Sequence, residues 1–174
     1  MIPGHRINVI FMVCRVNKYV DYTDVLKTHI TEFLNKIVGI LHECAARWDG
    51  SANKSEGDKY LVTWKLPNTE NQTDNEKNEW LMEQKTEMAD KSLITAVKIV
   101  SEMRRATAFS SFFRKSKMSG RFGNTTRPYV TFGLHMGYTI EGAIGSDFKI
   151  DACYLSAHVQ ITYRIEQLCE FYEM

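Results

Sequence analysis

The residue types that most often carry chemistry form no familiar catalytic set in this chain. It contains no Ser-His-Asp or Cys-His arrangement and no phosphate loop of the Gly-Lys-Ser/Thr type. His158 has no acidic or cysteine partner at ligand spacing, and the cysteines lack the C-x-x-C spacing of a zinc knuckle. The residue types and spacings alone therefore indicate no catalytic site.

The stretch 129–168 organises the chain and is predicted to form a strand, a turn, a second strand and a helix. A β-prone run fills 129–134, Gly137 breaks it, and a second strand is predicted at 138–144. Gly142 and Gly145 permit close backbone approach or a positive φ at the end of that strand. From residue 155 the apolar period changes to that of a helix, whose predicted inner face is Leu155, Val159, Thr162, Ile165 and Leu168.

Two glycine patterns follow one another here and precede the helix. They are roughly G-[IV]-H-x-G, formed by Gly133, Leu134, His135 and Gly137, and G-x-[IV]-G, formed by Gly142, Ile144 and Gly145. In this order they resemble the catalytic domain of class III nucleotidyl cyclases, the adenylate and guanylate cyclases. The resemblance implies an α+β fold with a ferredoxin-like core, and sites that lie at the interface of two such domains. His135 is interpreted as a structural residue of this strand rather than as a base.

The resemblance also implies two aspartates that hold two divalent metal ions, and this chain keeps one of them. Asp58 matches the second aspartate, although a Gly-Asp pair is also common in ordinary turns. Arg15 occupies the position of the first, where a fixed cation cannot ligate a metal ion and would repel one. Lys18 replaces a glycine of the same motif. We therefore expect no cofactor, and Mg²⁺ or Mn²⁺ only if the domain is active with a partner.

The remaining positions of the resemblance concern the nucleotide. Lys54 falls where adenylate cyclases contact adenine, whereas Cys153 falls where guanylate cyclases tend to have cysteine, so the two positions disagree about the base. The helix of the family carries asparagine and arginine, which orient the ribose and stabilise charge in the transition state. Here these residues are Gln160, one methylene longer than asparagine, and Arg164, an intact match. Cys153 is alternatively a small buried apolar residue, and Arg164 an ion-pair partner.

Length and composition place these residues in a single soluble domain. The chain has 174 residues, 44% hydrophobic and 25% charged, and a net charge of +1. This balance gives no reason to expect nucleic acid as a partner. No apolar run reaches the length of a membrane span, so direct membrane contact is not expected and a cytoplasmic, reducing setting is.

Hydrophobic periodicity predicts the order β, α, β, β, α, β, β, α, an α+β chain with a mixed or antiparallel sheet and helices on one face. The strand 7–16 is apolar throughout and is predicted to be buried on both faces. Helices are predicted at 24–46 and 88–106, and strands at 51–55 and 59–64. Surface loops are predicted at 67–87 and 107–127; the second is basic, with interleaved phenylalanines, and is either solvated or a docking surface for an acidic partner.

These observations support two functions of different classes. The first is an inactive cyclase-like domain that serves as a dimerisation or scaffold module, by analogy in a ciliary or cytoskeletal assembly. The second is the non-metal half of an active heterodimer that converts ATP or GTP, or a related sensor that binds the nucleotide without turnover. In either case the expected partner is a second cyclase-like domain. The family continues into a further strand hairpin, so we expect the 1–174 domain to be an excerpt of a longer chain.

Overall fold

The fold of the computed structural model is an antiparallel sheet with helices on both faces, and it describes residues 3–67, 75–123 and 126–172. The strand order is β2-β3-β1-β4-β5, and every neighbouring pair runs antiparallel. The first four strands in this order, with the helices between them, form the ferredoxin-like arrangement that was expected. The strands are β1 (His5–Val16), β2 (Ser51–Glu56), β3 (Lys59–Leu66), β4 (Val130–Ser146) and β5 (Lys149–Leu155).

Helices cover the two faces unequally, whereas the sequence predicted helices on one face. Five of them pack on the first face and contribute most of the core, and only the last packs on the second, against β4 and β1. The helices are α1 (Tyr19–Leu26), α2 (Ile30–Arg47), α3 (Asn75–Arg105), α4 (Ser110–Phe113), α5 (Ser116–Phe122) and α6 (Ala157–Phe171).

The central strand β1 is buried on both faces, as its apolar run predicted. Successive side chains of a strand point to opposite faces. Ile10, Met12 and Cys14 accordingly lie in the core beneath α1–α5. Phe11 and Val13 lie in the smaller core beneath α6. Both faces of this strand are therefore closed to solvent, and only its end can contribute polar groups to a site.

The predicted break at Gly137 was wrong, because β4 runs without interruption through residues 130–146. Gly137 is extended and leaves room for the ring of His158 rather than turning the chain. The hairpin is formed by β4 and β5, and Leu155 ends β5 instead of starting the helix. Ser156 caps α6, because its hydroxyl oxygen accepts a hydrogen bond of 3.0 Å from the backbone N–H of His158.

The predicted helix at 24–46 also needs correction. The chain becomes helical earlier, at Tyr19, and the helix ends at Leu26. Lys27 then adopts a φ of 50°, a left-handed conformation that interrupts a regular helix. A short 3₁₀ segment, Lys27–His29, precedes α2.

The two predicted surface loops are largely helical. Residues 75–87 belong to α3, and in this part the side chain of Leu81 is only 2% exposed. The segment was predicted as a loop because most of its residues are polar. In 107–127 the phenylalanines lie in the core or pack against it, so they belong neither to a solvated loop nor to a docking surface. Residues 68–74 and 124–125 of these loops lie outside the described residues. The buried side chains of the second segment are Phe109, Phe112, Phe113 and Met118.

Candidate functional site

An open cleft of about 720 Å³ lies where β1 ends, beside the start of α1 and the end of α6. The turn after β2 contributes Asp58, β1 contributes Arg15, and α6 contributes Glu170. Asp58 and Arg15 occupy the two positions that the family resemblance assigned to metal binding. Glu170 adds a carboxylate from α6. The other lining residues are Asn17, Lys18, Tyr19, Val20, Asp21, Tyr129, Thr131 and Cys169.

Arg15 joins two of these elements through ion pairs. Its Nε donates to Oδ2 of Asp58 at 2.9 Å, and its Nη1 donates to Oε2 of Glu170 at 2.8 Å. The side chains of Arg15 and Asp58 are 25% and 23% exposed, whereas that of Glu170 is 73% exposed. Burial lowers the pKa of Arg15, but its hydrogen bonds to Asp58 and Glu170 outweigh burial and raise it overall. The guanidinium therefore fastens the β2–β3 turn to the end of α6.

A third carboxylate near Arg15 was not predicted from the sequence. Glu166 of α6 is 1% exposed, and its Oε1 accepts a hydrogen bond of 2.7 Å from the hydroxyl of Thr131. Its Oε2 is buried and has no hydrogen-bond partner among the described residues. The charge of Glu166 also contributes to raising the pKa of Arg15. The positive charge of Arg15 thus lies near three carboxylates, those of Asp58, Glu166 and Glu170, and partly compensates their negative charge.

This arrangement does not suit a pair of catalytic metal ions. Oxygen-rich clusters of several carboxylates bind hard divalent cations, and a guanidinium offers no lone pair in their place. Arg15 also hydrogen-bonds the one carboxylate that the sequence assigned to metal, Asp58. Among residues 3–67, 75–123 and 126–172, no group of three or more His, Cys, Asp or Glu side chains is arranged to hold a metal ion.

The two residues assigned to the base are brought together, although β2 and β5 are the opposite edges of the sheet. The sheet curls until Nδ2 of Asn53 donates to the carbonyl oxygen of Ala152 at 3.4 Å. Lys54 and Cys153 directly follow these two residues along their strands. Lys54 forms an ion pair with Glu56, which raises its pKa. The ammonium group of Lys54 is therefore already paired with a carboxylate of the same domain, that of Glu56.

Gln160 and Arg164 do not line a common cleft in the part of the chain that the structure describes. Gln160 lines a second cleft of about 280 Å³, together with Asp58 and Tyr163. Arg164 is exposed, lines neither cleft, and forms no ion pair or hydrogen bond with the described residues. Asp58 lies between the two clefts and lines both. The arginine is thus available to a partner rather than to its own domain.

The G-L-H-M-G segment of β4 is explained by its contacts with α6. A methyl group at Gly133 would overlap the carbonyl oxygen of Thr162 and lie 2.7 Å from the backbone nitrogen of Glu166. One at Gly137 would overlap the ring of His158. The two glycines therefore let α6 lie directly on the strand.

His135 lies between these glycines and contacts the helix through its ring. Its Nε2 lies 2.8 Å from Nδ1 of His158, and the two rings stack with centroids 5.0 Å apart. Burial, followed by the charge of His158, lowers the pKa of His135. One ring donates the hydrogen bond and the other accepts it, so at least one of the two must be neutral. The histidine of the motif thus holds α6 on the sheet, in agreement with its structural interpretation.

Comparison with solved structures identifies this architecture. A bacterial light-regulated adenylyl cyclase superposes with a TM-score of 0.72 and 18% identity over 97% of this chain, which spans 42% of that protein. The chain has the fold of a class III nucleotidyl cyclase catalytic domain. The guanylate cyclase domain of RhGC from Catenaria anguillulae, solved with GTP, has a cyclase fold of the same kind, with a TM-score of 0.66 and 17% identity. It covers 94% of this chain, which in turn spans 74% of that one.

A third cyclase structure is a dimeric guanylyl cyclase domain of the RhoGC fusion protein from Blastocladiella emersonii. It superposes on the cyclase-like fold with a TM-score of 0.65 and 15% identity, covering 96% of this chain and 77% of its own. No protein-family model matches the chain, and a comparison with curated proteins finds no match. Within the described residues of the cyclase-like fold, no helix combines the length and apolarity needed to cross a membrane. The similarity therefore lies in the fold.

Proposed function

We propose that this cyclase-like domain is catalytically inactive and serves to dock a second cyclase-like domain within a larger assembly. The observation that supports the proposal is the pair of contacts from Arg15 to Asp58 and Glu170. The guanidinium occupies the space between the carboxylates and supplies the positive charge that a metal ion would otherwise bring. The site is thereby complete without metal, and its role becomes the fixing of α6 and the β2–β3 turn.

An exposed apolar surface supports the docking part of the proposal. The β4–β5 hairpin carries Phe148, which is 98% exposed at its tip, and Ile150, which is 71% exposed. The C-terminal part of α6 adds Phe171 and Tyr172, 75% and 62% exposed. The two groups lie at opposite ends of β4, and large apolar side chains exposed to this extent are typical of protein interfaces. A dimeric guanylyl cyclase domain is among the structures of the same fold, so a second cyclase-like domain is the proposed occupant.

Ligand-dependent stability tests the inactive state. The thermal midpoint of the full chain is measured with ATP and with GTP, each with and without Mn²⁺. A nucleotide present at 100 times its dissociation constant would stabilise the native state by about 2.7 kcal/mol. For a domain of this size that corresponds to a rise of roughly 5–10 °C. We expect no rise with either nucleotide.

The double variant Arg15→Asp with Lys18→Gly tests whether catalysis lies dormant in the rest of the site. We expect the folded variant to form no cyclic nucleotide from ATP or GTP with Mn²⁺, because Glu56 holds Lys54 and Arg164 lines neither cleft. Product formation by this variant would contradict the inactive module. So would a base-selective rise in the midpoint of the wild-type chain that Arg164→Ala abolishes.

The second candidate function is the non-metal half of an active heterodimer, and one observation favours it. The curl of the sheet brings the Lys54 and Cys153 strands together, and Arg164 is free to reach a partner's site. In this case the partner would supply both aspartates, and Arg15 would not interfere. A mixture with a cyclase domain that retains its metal ligands but lacks its own arginine would then gain activity. The gain would depend on Arg164 and not on Asp58.

A further inference from the structure

The long helix α3 presents a second apolar surface, on the face of the sheet opposite α6. One side of α3 is buried against α2, β3 and β1, through residues such as Ile99 and Met103. Beside it runs an exposed row, here called the α3 stripe, with Met82, Leu93 and Val97 exposed by 63%, 60% and 62%. With Ala89, also exposed, the row is Met82, Ala89, Leu93 and Val97.

The spacing of the α3 stripe is that of a helix–helix contact. Its members lie seven, four and four residues apart, which keeps them on one side of a helix at about 100° per residue. Such a row packs into the matching row of a neighbouring helix, and none of the described residues covers it here. The stripe therefore fits a helical partner rather than a flat or polar one.

Charge along α3 identifies the orientation of that partner. Residues 79–90 carry Glu79, Glu83, Glu87 and Asp90 against Lys85 alone. Residues 91–105 carry Lys91, Lys98, Arg104 and Arg105 against Glu102 alone. An antiparallel copy of the same helix would place each acidic half beside a basic half, whereas a parallel copy would place like charges together.

We propose that α3 pairs with α3 of a second copy of this chain, in an antiparallel contact centred near residues 91 and 92. In this register Leu93 packs beside the partner's Ala89, and Val97 beside the partner's Thr86. Glu79 and Arg104 are both exposed, form no ion pair with the described residues, and lie on the same flank of the stripe. Glu79 of each copy therefore lies beside Arg104 of the other copy across the two-fold axis, which gives two equivalent ion pairs.

This contact is separate from the interface of the proposed function. The exposed hairpin and α6 belong to one face of the sheet, and α3 belongs to the other. A protomer that uses both surfaces joins two neighbours at once, so successive contacts extend into a chain of domains. With both surfaces in use, the domain is not limited to one partner, and copies of it can be joined one after another.

Sedimentation velocity of the full chain over a 100-fold concentration range tests the α3 contact. We expect reversible self-association that Leu93→Asp weakens by on the order of 100-fold, because a charge is buried without a partner at the centre of the contact. The matched control is Trp80→Gln, which removes an exposed apolar side chain from another side of α3. It should leave the association constant unchanged.

A charge exchange tests the orientation without changing apolar surface. Glu79→Arg alone and Arg104→Glu alone should each weaken association by roughly three- to tenfold, since exposed pairs are worth a few tenths to 1 kcal/mol each. The double exchange should restore association, because both ion pairs are formed again with reversed polarity. Loss in both single variants without recovery in the double variant would overturn the antiparallel contact.

The outcomes also separate this inference from the proposed function. Association that is lost with Phe148→Asp and unaffected by Leu93→Asp would overturn the α3 contact and leave the docking surface standing. A chain that stays monomeric at every concentration would also overturn it. Association lost with Leu93→Asp and kept with Phe148→Asp would support the α3 contact alone. Each variant is compared at equal folded fraction, measured by circular dichroism.

Discussion

The two faces of the sheet are held by different kinds of contact. Beneath α1–α5, aromatic rings form a continuous cluster, in which the centroid of the Tyr22 ring lies 5.0 Å from Phe33 and 6.2 Å from Phe113. The α6 face has a smaller apolar core, and α6 is held there by directional side-chain contacts as well as by its packing on β4 and β1. When one of many apolar contacts is removed, the remaining contacts still hold the element in place. When one of a few directional contacts is removed, a larger part of the stabilisation is lost.

The difference teaches which part of the domain is adjustable. The directional contacts of α6 include the ring pair of His135 and His158, the buried Thr131–Glu166 hydrogen bond, and the ion pair of Arg15 with Glu170. All of them depend on charge or on ångström-scale fit. We therefore expect substitutions and pH to act on the α6 face first, and the face beneath α1–α5 to respond much less.

The largest effect is expected at Gly133. Gly133→Ala places a methyl group against the backbone of α6, at the carbonyl oxygen of Thr162 and the nitrogen of Glu166. Since backbone cannot rotate away, α6 must shift, and overpacking of this kind should lower the free energy of unfolding by about 3 kcal/mol. Urea denaturation at pH 7.5 measures the change.

Gly39→Ala is the matched control on the other face. A Cβ at Gly39 of α2 meets no atom within 4 Å, so alanine should raise the free energy of unfolding by about 0.5–1 kcal/mol through helix propensity. If Gly133→Ala were as stable as the wild type, α6 would not lie on β4 at the distance described. The comparison between the two faces would then fail.

The next effect is expected at Arg15. Arg15→Ala leaves Asp58, Glu166 and Glu170 without the cation that lies among them. Because Arg15 and Asp58 are only partly buried and Glu170 is exposed, we expect a loss of about 2 kcal/mol, less than for a fully buried ion pair. Arg164→Ala, at an exposed arginine without a partner among the described residues, should change stability by less than about 0.5 kcal/mol. Equal effects of the two substitutions would show that Arg15 has no special role.

The sequence was sufficient for the central elements of the fold. The apolar run of β1 and the glycine patterns of β4 predicted a buried central strand and a cyclase-like α+β domain, and both predictions are confirmed. The sequence was insufficient for segments of polar composition whose secondary structure and burial depend on packing against other elements. In α3 the apolar residues are sparse, and in 107–127 the basic residues conceal Phe109, Phe112 and Phe113, which bury themselves only when α2 is present.

At the site, residues that match a known motif were easier to predict than residues that reach the site only through the packing of α6. Arg15 and Asp58 were singled out by pattern, and the structure places them 2.9 Å apart. Glu166 and Glu170 were missed, although their spacing of four residues on α6 was a usable signal for one helix face. What the sequence could not show is that this face is turned toward the end of β1.

The smallest of these effects is expected from pH. Burial and the charge of His158 lower the pKa of His135 in the folded state. The ring of His158 in turn contacts the ring of Tyr138, over which the guanidinium of Arg6 lies. The unfolded chain therefore takes up the proton first as pH falls below about 6.5. The free energy of unfolding should fall below this pH by at most about 1.4 kcal/mol per pH unit, and level off below the folded pKa.

Two variants make the pH effect specific to the α6 face. His135→Gln should remove this dependence, because glutamine cannot take up the proton, whereas His42→Gln, at an exposed position of α2, should retain it. Phe113→Leu should lower stability by the same amount at pH 5 and pH 8, since the aromatic cluster does not titrate in this range. The measurement is urea denaturation from pH 5 to 8. A pH dependence that survives His135→Gln would mean that α6 is not held by its histidine pair.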